Sequence, residues 1–97
     1  MSRGDSPPER LRLDLYLKRS HLVKRRPLAA ILCKNDHIKV DGRQAMPGKA
    51  VFVGNRIEVR YARKLLLVKV TGLPADARRG QDCYEVISSE NLDDDLF

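Results

Sequence analysis

Tryptophan is absent from this sequence, and phenylalanine and tyrosine together number five in 97 residues. That scarcity argues against a sheet or barrel whose rings stack a run of unpaired bases. Cysteine occurs only at Cys33 and Cys83. Two thiols do not make a disulfide framework, so the chain reads as a reduced, cytoplasmic protein. No apolar run reaches the length of a membrane span, and no secretory leader pattern opens the sequence. Catalytic constellations are missing as well. His21 and His37 do not stand at ligand spacing with either cysteine, so no metal is expected. Gly48-Lys49 lacks the upstream glycine and the following Ser or Thr of a phosphate-binding loop. Ser88-Ser89 has no base in its sequence context. The expectation is a non-enzyme with no cofactor, no small-molecule substrate and no membrane partner.

Positive charge is what the sequence has in excess. From Glu9 to Lys69 there are 16 Lys and Arg against 5 Asp and Glu, a net of +11. From Val70 to Phe97 there are 2 against 7, a net of −5. The overall +6 therefore hides a strongly basic body and an acidic tail. A basic body of this size points to a polyanionic partner.

The length fits one small domain. Residues 1–9 read as a flexible arm, although Ser6, Pro7 and Glu9 have the spacing of a helix start. Arg10 to Leu22 is ambiguous. RLRLDLYL alternates like a strand, yet Leu13, Tyr16, Leu17 and Ser20 fall at helical spacing and Asp14–Lys18 is a favourable i,i+4 pair. The helix is preferred, and Arg12 and Arg19 then share one side of it. Pro27 to about Lys34 reads as a second helix with Leu28, Ile31 and Leu32 as its apolar stripe. Cys33 is taken as a small core thiol. Asn35 or Asp36 can end this helix, because both tolerate a left-handed backbone.

The period then changes to two. Ile38 to Val40 is a strand, and Asp41-Gly42 is a type I′ hairpin dipeptide leading into Arg43–Ala45. Met46 to Ala50 is a loop, with a brief extended piece at Val51–Val53. Ile57–Tyr61 and Leu66–Val70 make a second hairpin. Tyr84–Ile87 adds a small extended or helical piece, and Asp93 to Asp95 lie in a tail. The expected architecture is α+β: two N-terminal helices packed on a small, mainly antiparallel sheet. A domain over 10–73 is followed by a linker and acidic tail over 74–97, and the protein is read as a monomer.

Five of the nine positions from Lys18 to Arg26 are cationic. Lys24, Arg25 and Arg26 stand before Pro27, where the second helix begins. The N-terminus of a helix is itself partly positive, and each cation there costs about 0.3–1 kcal/mol. Arg26 also precedes a proline, which pushes it out of helical geometry. An anion completes this arrangement: unpaired N–H groups, a dipole end and three cations together fit a phosphate. Arg12 and Arg19 can extend the surface, and Lys39 and Arg43 can extend it across the first hairpin. Duplex DNA is the weaker partner. The exposed face of the second helix is expected to offer Ala29, Ala30 and Cys33 rather than Asn, Gln or Arg to reach base edges.

RLDLYLKRSHLVKRRPLAAIL followed by HIKVDG resembles the RNA-binding domain named after ribosomal protein S-four of the small subunit. The elements are Arg12-Leu13-Asp14 opening the first helix, Lys24-Arg25-Arg26 leading into the second, and a strand ending in Val40-Asp41-Gly42. The likeness runs on through Ile57–Arg60 and Lys64–Val70. More narrowly, the chain is similar to the short stand-alone, ribosome-associated members of the RqcP type. It is also similar to the related small heat-shock protein that binds large ribosomal subunits. The resemblance implies an RNA-binding factor on the large subunit, touching ribosomal RNA and tRNA in rescue or quality control of stalled nascent chains. By motif position it implies Arg12, Lys24, Arg25 and Arg26 as RNA contacts; Lys39 and Arg43 are added from charge alone. Two turns depart from the family pattern, with Asp36 where Gly is frequent and Val53-Gly54-Asn55 in place of Pro-Gly-Asp. The alternatives are a detached RNA-targeting subunit of an RNA-modifying enzyme and a DNA-binding regulator.

Overall fold

The structure is a computed structural model that describes residues 9–61, 63–74 and 83–91. The expected arm with its helix start at Ser6 and Pro7, residues 75–82 and Asp93–Asp95 lie outside the described residues. Among the described residues nine elements follow in chain order: β1 (Leu11–Arg12), α1 (Leu13–Arg19), α2 (Arg26–Lys34), β2 (Ile38–Val40), β3 (Arg43–Gln44), β4 (Ala50–Val51), β5 (Arg56–Tyr61), β6 (Lys64–Val70) and β7 (Tyr84–Asn91). The strands form an antiparallel five-stranded sheet of order β3-β2-β5-β6-β7 and a separate two-stranded pair, β1-β4.

The ambiguity at the first helix resolves into both answers. Leu11 and Arg12 are extended and pair with Val51 and Ala50. The helix starts only at Leu13, three residues later than expected, and runs for seven residues. A helix this short is not stable alone. Its first amides are held by a distant loop: the Leu13 N–H donates to the Lys49 carbonyl at 2.8 Å and the Asp14 N–H to that of Pro47 at 3.0 Å. The expected stripe is inward, with Leu13, Tyr16, Leu17 and Ser20 all buried. Each fully buried large apolar side chain is worth about 1.5–3 kcal/mol. His21, at φ 67, ends the helical turn and sends the chain toward α2.

In α2 the inward face is rotated from the expected one. Ala29, Leu32 and Cys33 are buried, whereas Ile31 is 53% exposed. Small residues explain the shift, since Ala29 and Cys33 let α2 approach its neighbours closely. Arg26, expected outside the helix, is its first residue. In the first turn its N–H has no intrahelical bond to lose. Asn35 caps the C-terminus, and the chain then turns at Asp36, which takes φ 64.

Ile38, Val40, Ile57, Val59, Val68 and Val70 line the face of the sheet that joins the helices in one core. Asp41 and Gly42 both have positive φ, 53° and 84°, as a type I′ turn requires. β3 stops at Gln44, one residue short of the expected strand, and the brief extended piece lies at Ala50–Val51 rather than Val51–Val53. The largest difference is at the C-terminal side. Tyr84–Ile87, expected as a small extended or helical piece within the linker and tail, opens an eight-residue strand, Tyr84–Asn91, paired along β6, with a bulge opposite Leu67/Val68. Cys83, just before it, is buried, and the Tyr16 hydroxyl donates to its carbonyl at 2.7 Å.

Candidate nucleic-acid interface

The corner between α1 and α2 is organised by one buried carboxylate. Asp14 sits in the first turn of α1 with its side chain only 6% exposed. Arg12 donates through Nε to Asp14 Oδ1 at 3.1 Å and through Nη2 to Oδ2 at 3.2 Å, a bidentate fork. Arg26, arriving from α2, places its Nε 3.4 Å from Asp14 Oδ2. Burial alone would raise the Asp14 pKa. The Arg12 hydrogen bonds and the positive charges of Arg26 and Arg12 outweigh it and hold the carboxyl below its ordinary value. The same hydrogen bond raises the pKa of Arg12. Both guanidinium groups stay about half exposed, so each is fixed on one side and open to solvent on the other.

The three-cation run is therefore divided. Arg26 is tied to the protein's own carboxylate, which the sequence did not reveal, since Asp14 is far away along the chain. The expected Asp14–Lys18 pair is not among the ion pairs of the described residues, because Asp14 turns to the arginines. Lys24 and Arg25 are exposed and have no ion pair among the described residues. Their outward position follows from Val23, which is buried and whose N–H donates to the Leu17 carbonyl at 3.0 Å. With Val23 anchored, the next two residues turn out. Arg25 is the N-cap of α2 in extended geometry and makes no side-chain cap bond; the first turn holds no acidic residue.

The other sequence-selected cations lie elsewhere. Arg12 is extended, so it and Arg19 do not share a helix face. Arg19 Nη1 donates to the Pro74 carbonyl at 3.2 Å, linking the end of α1 to the segment after β6. Lys39 alternates with buried Ile38 and Val40, so it lies on the sheet face opposite the helices, cross-strand from Glu58. Arg43 is exposed on the edge strand β3.

Two participants escaped the sequence reading. Asp14 organises the corner, and Lys49 joins it from the 46–49 loop. Gly48, preceding Lys49, packs beneath Arg12: a Cβ added there would sit 3.8 Å from Arg12 Cζ. A lysine directly after Pro-Gly in a loop was the available signal. Among the described residues no three potential metal ligands come together. Cys33 and Cys83 are buried and not joined in a disulfide, and burial pushes the Cys33 pKa up to about 11.

Comparison with known proteins adds four findings. The S4 domain family model matches residues 11–57. The RQC P-site tRNA stabilizing factor of Streptococcus pneumoniae is 36% identical over 89 residues, covering 89% of this chain and 100% of that protein. The factor of the same name from Halalkalibacterium halodurans is 37% identical over 84 residues, covering 84% and 96%. Among solved structures, the trimeric heat shock protein 15 of Vibrio cholerae superposes with a TM-score of 0.76 at 24% identity. The match covers 82% of this chain and 84% of that one, and it supports the fold.

Proposed function

Because the chain belongs to the family of the RQC P-site tRNA stabilizing factors and carries an S4 domain, we propose that it binds RNA on the large ribosomal subunit and steadies P-site tRNA while a stalled nascent chain is handled. It acts by binding, without a chemical step of its own. The observation that carries the reading is the α1–α2 corner. There Lys24 and Arg25 are open, and Arg12 and Arg26 are half open on a shared carboxylate.

That corner suits phosphodiesters. Lys24 and Arg25 supply mobile positive charge beside an uncapped helix start. Arg12 and Arg26 supply planar donors whose orientation Asp14 has already set, so little side-chain entropy is lost when a phosphate arrives. Arg19 acts through its backbone contact in holding the fold, and Lys39 belongs to the other face of the sheet. The RNA surface is thus assigned to Arg12, Lys24, Arg25 and Arg26, with Lys49 and Arg43 continuing it.

Sedimentation of tagged protein with separated ribosomal fractions tests the reading. The protein should travel with large subunits, and most strongly with those carrying peptidyl-tRNA; Lys24→Ala/Arg25→Ala should leave it at the top of the gradient. Migration with small subunits, or with neither subunit at low salt, would contradict it.

A further inference from the structure

Phe52 leaves a large ring 45% exposed, yet it is not carried on a loose tip. Its carbonyl accepts from the Asn55 N–H at 3.1 Å, and its own N–H donates to Asn55 Oδ1 at 2.7 Å. Gly54, at φ 101, supplies the left-handed position of this turn. Asn55 Nδ2 donates in turn to Asp41 Oδ2 at 2.8 Å, and Asp41 Oδ1 accepts from the Arg56 N–H at 2.9 Å. The turn is thereby fastened to the β2–β3 hairpin. A ring presented to water on a fastened turn is a preformed contact surface.

Phe52 lines an open groove of about 690 Å³ with Arg43, Gln44, Met46 and Lys49 among its walls. Met46 is 58% exposed and adds apolar surface beside the ring. Arg43 and Lys49 are exposed and have no ion pair among the described residues. Asp41, the carboxylate of this lining, already has both oxygens engaged. Both donors are neutral amides, so Asp41 keeps its negative charge, and against Arg43 and Lys49 the lining carries a net charge of +1. The groove also adjoins the α1–α2 corner through Arg12, Gly48 and Lys49.

We propose that this groove receives one unpaired nucleotide of the bound RNA, its base stacked on Phe52 and its phosphate held by Arg43 and Lys49. The proposal rests on the RNA-binding reading above. One ring is enough for one base, and every base offers a π-face, so the site is tolerant of sequence. Gln44 carries an amide able both to donate to and to accept from a base edge. RNA following the cations from Arg25 over Arg12 reaches this groove next, and an unstacked nucleotide there turns inward.

Because the chain has no tryptophan, Phe52→Trp places a single reporter in the groove. It is titrated with single-stranded oligoadenylate and, separately, with a blunt RNA duplex of equal phosphate concentration at fixed salt. The single strand should quench the emission and the duplex should not. Phe52→Ala should weaken single-strand binding at least about fivefold, with its salt slope unchanged, because stacking releases no counterions. Phe52→Leu keeps apolar bulk without a π-face and should bind like Phe52→Ala. Both variants are checked for an unchanged melting temperature, and Phe52→Trp supplies the readout if either fails. Binding of the single strand without quenching, or Phe52→Leu binding as tightly as the unsubstituted protein, overturns the nucleotide site and leaves the RNA reading standing. Failure of the unsubstituted protein to bind either RNA overturns both.

Discussion

Asp14, buried at the start of α1, holds the Arg26 guanidinium from the start of α2 at 3.4 Å. The contact joins two helices across the Ser20–Arg25 link and sets the direction of a cation that would otherwise swing freely. Arg12 completes the arrangement from the other side. One carboxylate thus orders two arginines and cancels one of their two charges. Net positive charge remains at the corner, now with fixed geometry.

Asp14→Asn should therefore loosen both arginines and lower stability by about 1–3 kcal/mol, the cost of breaking charge-assisted hydrogen bonds at a partly buried site. The pH dependence has a definite sign. The folded pKa of Asp14 is depressed, so its contribution is present above the unfolded value near pH 4 and is lost as pH falls through the lower folded value. Denaturant titrations from neutral to acid pH should show a shallower acid limb in Asp14→Asn than in the unsubstituted protein.

Tyr16→Phe should cost only about 1 kcal/mol. The buried hydroxyl donates to the Cys83 carbonyl at 2.7 Å, but that oxygen also accepts from the N–H groups of Thr71 and Gly72 at 2.9 and 3.1 Å. Removing the hydroxyl leaves no orphaned acceptor. Burial first, with its contact to Cys83, raises the Tyr16 pKa well above the ordinary value. Stability from the neutral phenol is present below about pH 10 and declines above it. Tyr16→Phe should flatten the alkaline limb of a stability profile.

Truncation after Pro74 should be far more damaging than a domain ending at residue 73 would imply. It removes buried Cys83, the acceptor for Tyr16, Thr71 and Gly72, and the strand paired along β6. The KLLLVKV strand would then present an open, apolar edge. Loss of soluble protein, followed by size-exclusion chromatography, is the expected result.

Cys33 should react with a thiol reagent only as the protein unfolds. It is fully buried, and its thiol pKa is raised to about 11, so little thiolate exists at neutral pH. Modification rates measured across a denaturant series should follow the unfolded fraction.

Local chemistry accounts for what was readable in the sequence. Asp41-Gly42 announced its turn because few residues tolerate positive φ, and Pro27 announced α2 because its ring suits a first helical turn. Leu11 and Arg12 were ambiguous because their alternation and the helical spacing overlap, and their partners, Val51 and Ala50, lie far along the chain. The full length of β7 is not legible in YEVISSEN, which carries little apolar signal; the strand is held by the ladder that β6 offers. The basic corner was visible as a cluster. Its division into tied Arg26 and open Lys24 and Arg25 needed the fold, because only the meeting of the two helices brings Asp14 to Arg26. Charge groups Lys39 with the cluster, whereas strand register sets it on the opposite face.

The most direct test of the account is the salt dependence of RNA affinity in Lys24→Ala/Arg25→Ala, measured with melting temperature on the same samples. Each lost phosphate contact should lower the slope of log affinity against log salt by roughly 0.7–0.9, so the double substitution should lower it by about 1.5. Melting temperature should hold or rise, since cations leave a helix N-terminus. An unchanged slope beside an intact fold would contradict the claim that these two open side chains meet RNA phosphates.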